Sequence, residues 1–134
     1  MGINVVWDNP QQTVIMLQCE GALTPQDYYK AIDSAYLLVT SVAHTVDFIY
    51  DRSQVTEVPQ QISRIAQHAG KRMIANMGII VIVQPEFGTH IRLQLVRVVA
   101  PLVIKNLHFA DTVAEARHNI ESYHNRGLPA VAGR

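Results

Sequence analysis

Met77-Gly-Ile-Ile-Val-Ile-Val-Gln-Pro85 is the stretch on which the fold turns. Five consecutive β-branched residues, Ile79 to Val83, favour a strand. They do not alternate with polar residues, so both faces of the strand are expected to be buried. Gly78 and Pro85 punctuate its ends. The pattern predicts a central parallel strand covered by helices on both sides.

Upstream of it, Ile3 to Trp7 reads as a short strand, and Asp8-Asn9-Pro10-Gln11-Gln12 as a polar turn. Thr13 to Cys19 is a second apolar run, ended by Glu20-Gly21. The short connection predicts an antiparallel hairpin. Thr24-Pro25-Gln26-Asp27 starts a helix, with Thr24 as cap and Pro25 at the first helical position. Tyr28, Ile32, Ala35, Tyr36 and Val39 share one face of it, and it should reach about Ser41. Val46 to Tyr50 is the next strand, followed by Asp51-Arg52-Ser53. A helix from Pro59 carries Ile62, Ile65, Ala66, Ala69 and Met73, weakened late by Gly70.

Downstream, Ile91 to Ile104 satisfies both strand and helix spacing at its start. Its length favours a helix, kinked or ended at Pro101 and apolar over much of its circumference. Lys105 to Ala110 is a last strand. Thr112 and Glu115 form a capping box for a last helix whose apolar face is Val113, Ala116, Ile120 and Tyr123. Residues 125–134 hold Gly127, Pro129 and Gly133 without a period and read as a flexible tail after one domain, 1–124. The fold class is α/β, a mostly parallel sheet with an N-terminal antiparallel hairpin, in the order β-β-α-β-α-β-α-β-α.

Composition narrows the function classes. Eleven basic residues balance eleven acidic ones, and Lys71-Arg72 is the one adjacent basic pair, so a nucleic-acid-binding stripe is not visible. Zero net charge mildly favours self-association. A single cysteine, Cys19, fits a reducing cytoplasm. No window carries the ~18 uninterrupted apolar residues of a membrane helix. The expected protein is cytoplasmic and binds no nucleic acid.

The element order resembles the STAS fold, shared by sulfate-transporter tails, anti-sigma-factor antagonists and the small SpoIIAA-like proteins, over residues 3–124. One local pattern supports it: Val46-Asp47-Phe48-Ile49-Tyr50 followed by Asp51-Arg52-Ser53. The resemblance implies an Asp-x-Ser here, with a phosphorylated serine at the start of the next helix in an Asp-Ser-Ser-Gly motif. This chain has Thr56-Glu57-Val58-Pro59 in that stretch, with Val58 at the acceptor position and no glycine after it. The phosphoswitch is therefore expected to be missing.

Ligands of open α/β sheets bind outside the carboxyl ends of the strands. That rule selects Asp51 and Ser53, then Glu86, Gly88 and Thr89, and finally Asp111. Gly88-Thr89 at a helix start can offer N–H groups to an anion. The same residue types are also ordinary turn and cap residues. The six histidines have no helical metal-ligand spacing, and His90 near Glu86 is either an acid–base pair or a first-turn residue. Cys19 in an apolar strand reads as a buried small hydrophobe. No cofactor loop and no nucleophile elbow is found, so no cofactor, metal or catalytic residue is assigned.

Three functions remain open. The first is a non-catalytic regulatory module acting on a protein partner, or on itself as a homodimer through Leu93, Val96 and Val103 on the apolar helix. The second is a carrier of a small apolar ligand or lipid lined by Tyr28, Tyr36 and Phe87. The third is a small enzyme using Asp51, Ser53, Glu86 or His90.

Overall fold

The computed structural model describes residues 2–57, 62–83 and 107–125. The five described strands form one sheet: β1 (Gly2–Trp7), β2 (Val14–Ala22), β3 (Val46–Glu57), β4 (Met77–Val83) and β5 (Leu107–Ala110). They lie side by side in chain order. β1 is antiparallel to β2, and every later pair is parallel. The described helices are α1 (Pro25–Thr40), α2 (Ile62–Lys71) and α3 (Val113–Asn125). The hairpin edge and parallel body agree with the sequence reading. β4 is an interior strand, but β3 occupies the middle of the sheet, because each new strand adds beside the last.

The two faces of the sheet carry separate cores. On one, Val14, Met16, Ile49, Ile79, Val81 and Val83 pack with Ala116 and Ile120 of α3. Val113 and Tyr123 complete that contact, so all four residues expected on the helix's apolar face are used. On the other, Ile15, Val46 and Phe48 pack under Ala35 and Val39 of α1. Cys19, Leu23, Tyr28 and Val55 extend this second core, with Ile65 of α2 against it. Each fully buried aliphatic side chain stabilises the fold by about 1.5–3 kcal/mol.

The helix ends follow local chemistry. Thr24 accepts from the Asp27 N–H, and Asp27 accepts in return from the Thr24 N–H at 2.8 Å. In α3, Thr112 accepts from the Glu115 N–H at 3.0 Å, while the Glu115 carboxylate reaches past the cap to the Asp111 N–H at 2.9 Å. The buried stripe of α1 is Tyr28, Ala31, Ala35 and Val39, with Ile32 and Tyr36 only half-buried. Two alanines on the sheet side let the helix approach closely. α2 stops at Lys71, just after Gly70, so Met73 lies beyond it.

Two strands run further than their composition suggested. β2 continues through Glu20 and Gly21 to Ala22, with Gly21 at φ 84°, a conformation that glycine adopts without strain. β3 continues through Asp51-Arg52-Ser53 to Glu57 rather than turning there. β3 is interrupted twice, once at Arg52-Ser53 and again between Val55 and Glu57, and β4 once. Gln18 pairs with Asp51 and Glu20 with Gln54, so β3 holds one extra residue at Arg52-Ser53. Val46 pairs with Met77 and Phe48 with Ile80, so β4 holds one at Gly78-Ile79.

The expected helix over Ile91–Ile104, the start of the strand at Lys105 and residues 126–134 of the tail lie outside the described residues.

Candidate functional site

A bulge takes one N–H out of the sheet ladder, and that group needs another acceptor. In β3 the acceptor is local: the Ser53 N–H donates to Asp51 Oδ1 at 2.9 Å. The arrangement leaves Ser53 exposed and Asp51 half-exposed. Asp51 and Gln54 then border an open depression of about 610 Å³, together with Gly2 and Asn4 of β1 and Gln18 and Glu20 of β2. Asn4 Nδ2 donates to Gln18 Oε1 at 3.1 Å across the hairpin. Amides and carboxylates dominate this surface. It can exchange hydrogen bonds with a polar partner.

Behind the bulge the chain buries a cation. Arg52 is 1% exposed. Its charge acts on the Tyr28 phenol, against the larger effect of burial, and it lies 5.9 Å from the centre of the Tyr50 ring. Tyr28 and Tyr50 meet edge to face at 6.1 Å. Burial pushes both phenols above their ordinary range. Burial also pushes the Cys19 thiol up to about 12, against a smaller lowering by Arg52. A thiol held in that form is not a nucleophile.

At the opposite end of β3 stands a second polar group. Asp47 is 2% exposed, on the face covered by α3. Its Oδ1 accepts the Ile79 N–H at 2.9 Å, the group that the β4 bulge removes from the ladder. Its Oδ2 lies 2.6 Å from His124 Nε2. A Cβ on Gly78 would collide with Asp47 Oδ1, so glycine is required for the carboxylate to enter. Tyr123 lies edge-on to His124 and to His108. Burial holds the His108 imidazole below its ordinary range.

On the outer surface, α1 and α2 are clamped by ions. Asp33 Oδ1 accepts from His68 Nε2 at 2.8 Å and from Arg72 Nε at 2.9 Å. Arg72 also covers the Tyr36 ring at 5.5 Å.

Of the residues selected from sequence, the structure brings Asp51 and Ser53 together through one hydrogen bond and places both within a strand. Thr56 and Glu57 belong to the end of β3. Asp111 precedes α3 as part of its cap. Glu86, Gly88, Thr89 and His90, and the interface residues Leu93, Val96 and Val103, lie outside the described residues, as do Val58 and Phe87. Tyr28 is in the core and Tyr36 under Arg72, on different parts of α1. Sequence reasoning missed Arg52 and the Asp47–His124 pair. Arg52 stands among Asp51, Ser53 and Gln54, where a cation reads as a surface residue, so its burial left no local signal. The other pair spans 77 positions and left no local signal.

Comparison with known proteins places this geometry. The solved structure of the Bacillus cell fate determinant SpoIIAA, in its phosphorylated form, matches 89% of this chain and 99% of its own, with TM-score 0.54 and 10% identity. The fold is STAS-like. At that identity the likeness extends to the fold alone. No family model matches the sequence, and no curated protein does. Within the STAS-like frame, the Asp51–Ser53 bulge sits on the strand that leads into α2. Among the described residues, no helix is long and apolar enough to cross a membrane.

Proposed function

We propose that the chain is a non-catalytic, cytoplasmic interaction module that regulates a protein partner by contact and also associates with itself. The observation that carries this reading is the likeness to SpoIIAA over nearly the whole of both chains. The contact surface in this reading is the ledge of Glu20, Asp51, Ser53 and Gln54. It is polar, accessible and near the carboxyl ends of two parallel strands. SpoIIAA has a phosphorylated form. In this chain Val58 occupies the position that the sequence pattern assigns to the acceptor, so binding proceeds without that switch. The domain is taken as 1–124. This depression, lined chiefly by amides and carboxylates, suits a polar contact better than an apolar ligand.

The test uses purified protein to capture a partner from cells of its own source, followed by titration with the isolated partner. Ser53→Arg should weaken that binding at least ~10-fold while the melting temperature stays within a few degrees. A metabolite turnover that disappears in Asp51→Ala would overturn the non-catalytic reading.

A further inference from the structure

β1 forms one edge of the sheet and, among the described strands, pairs with β2 alone. Its register runs from Gly2↔Glu20 to Trp7↔Ile15 without a bulge. The Asp8 N–H donates to the Val14 carbonyl at 2.7 Å. Backbone direction alternates along an antiparallel ladder, so Val6, Asn4 and Gly2 also turn their N–H and C=O groups toward β2. Ile3, Val5 and Trp7 therefore turn theirs outward.

Exposed edges are ordinarily blunted by charge, proline, a bulge or shortness. β1 has no charged residue and no proline. β5, the other edge among the described strands, is only four residues long. Val6 on β1 is 37% exposed.

We propose that β1 pairs with β1 of a second copy, antiparallel, about a two-fold axis through Val5. This deepens the reading above, on which it rests for self-association, and moves the contact from Leu93 and Val96 to the sheet edge. The strand is complementary to its own two-fold copy. With the axis at Val5, Ile3 faces Trp7 of the other chain, and Asn4 faces Val6. The outward groups of Ile3, Val5 and Trp7 then meet in register and form about six hydrogen bonds. Ile3 and Trp7 make an aromatic–aliphatic pair on each side of the axis. No like charges oppose one another, since the strand is uncharged and the net charge of the chain is zero. An axis through Asn4 would leave Trp7 without a partner, and an odd shift would set the two faces against each other.

Light scattering on the purified chain at tens of micromolar should give twice the 15.0 kDa mass. Val5→Pro removes an outward donor and leaves the β2 ladder intact, and Val6→Lys blunts the edge. Both should return to 15.0 kDa with an unchanged far-ultraviolet spectrum. The double variant Asn4→Cys/Val6→Cys should form a disulfide-linked dimer that neither single variant forms, because directly opposed residues of this kind lie about 4.5 Å apart. If Val5→Pro unfolds, Val6→Lys and the cross-link decide. A monomeric wild type would overturn both self-association and the edge. A dimer that persists in Val6→Lys and does not cross-link would overturn the edge and leave self-association standing.

Discussion

His124 Nε2 lies 2.6 Å from Oδ2 of Asp47, joining the last turn of α3 to a carboxylate in the sheet that is only 3% exposed. The carboxylate also serves the Ile79 N–H. Removing it strands a buried donor, whereas removing the half-exposed imidazole does not. Asp47→Ala should therefore cost about 2–3 kcal/mol and His124→Ala about 1 kcal/mol, measured by urea denaturation. Asp47→Asn should fall below Asp47→Ala, because an amide oxygen still accepts from Ile79.

Gly78 and Asp47 are coupled by space. An added methyl would meet Asp47 Oδ1 and come within 2.9 Å of Thr45 Cγ2. Gly78→Ala should destabilise by about 1–3 kcal/mol. In the Asp47→Ala background the same change should cost less, since one of the two obstacles is gone. A double-mutant cycle measures the difference, and strict additivity would contradict the geometry.

Asp33 should shape the acid limb of stability. The His68 hydrogen bond, followed by that from Arg72, holds its carboxyl below the ordinary 3.8. A depressed carboxylate stabilises the fold above the unfolded value, and the contribution disappears as pH falls below it. Melting temperatures of the wild type should therefore drop more steeply below pH 3.8 than those of Asp33→Asn.

His108 acts in a different window. Burial favours its neutral form and lowers its value from 6.5. The unfolded chain takes up the proton first, so the stabilising contribution is present above pH 6.5 and declines below it. His108→Phe keeps a ring beside Tyr123 and should flatten the melting-temperature profile below that pH.

Cys19 should resist alkylation. With its thiol at about 12 instead of 9.0, the thiolate fraction at pH 8 falls roughly 1,000-fold. Iodoacetamide should leave the native chain unmodified over hours and label it after denaturation. Rapid labelling of the folded protein would show that the thiol is accessible.

What the sequence made legible was local. The β4 run, both helix caps and the four-residue face of α3 depend on neighbours in the chain, and all stand in the structure. The middle position of β3 was not legible, because strand order is a property of the whole sheet. Asp51 and Ser53 read as a turn because these residue types close turns; Asp51 instead uses its carboxylate to hold a bulge inside a strand. Arg52 was passed over because a cation is expected at the surface, yet it is buried over the Tyr50 ring. Asp47 and His124 meet only after α3 has folded onto the sheet.

The extra residue in β3 also acts as a phase change. Before it, Asp47, Ile49 and Asp51 lie on the α3 side of the sheet, and after it Gln54 does, so the parity of that side passes from odd to even and Val55 falls on the other side with Cys19. A relative with a regular strand would carry the residues of each face one position earlier over this stretch. An ungapped alignment across Arg52-Ser53 would then exchange the two faces from Gln54 to Val55, before a second extra residue between Val55 and Glu57 shifts the pairing again. A one-residue gap there restores the correspondence, and deleting Ser53 in this chain would turn Val55 out of the core.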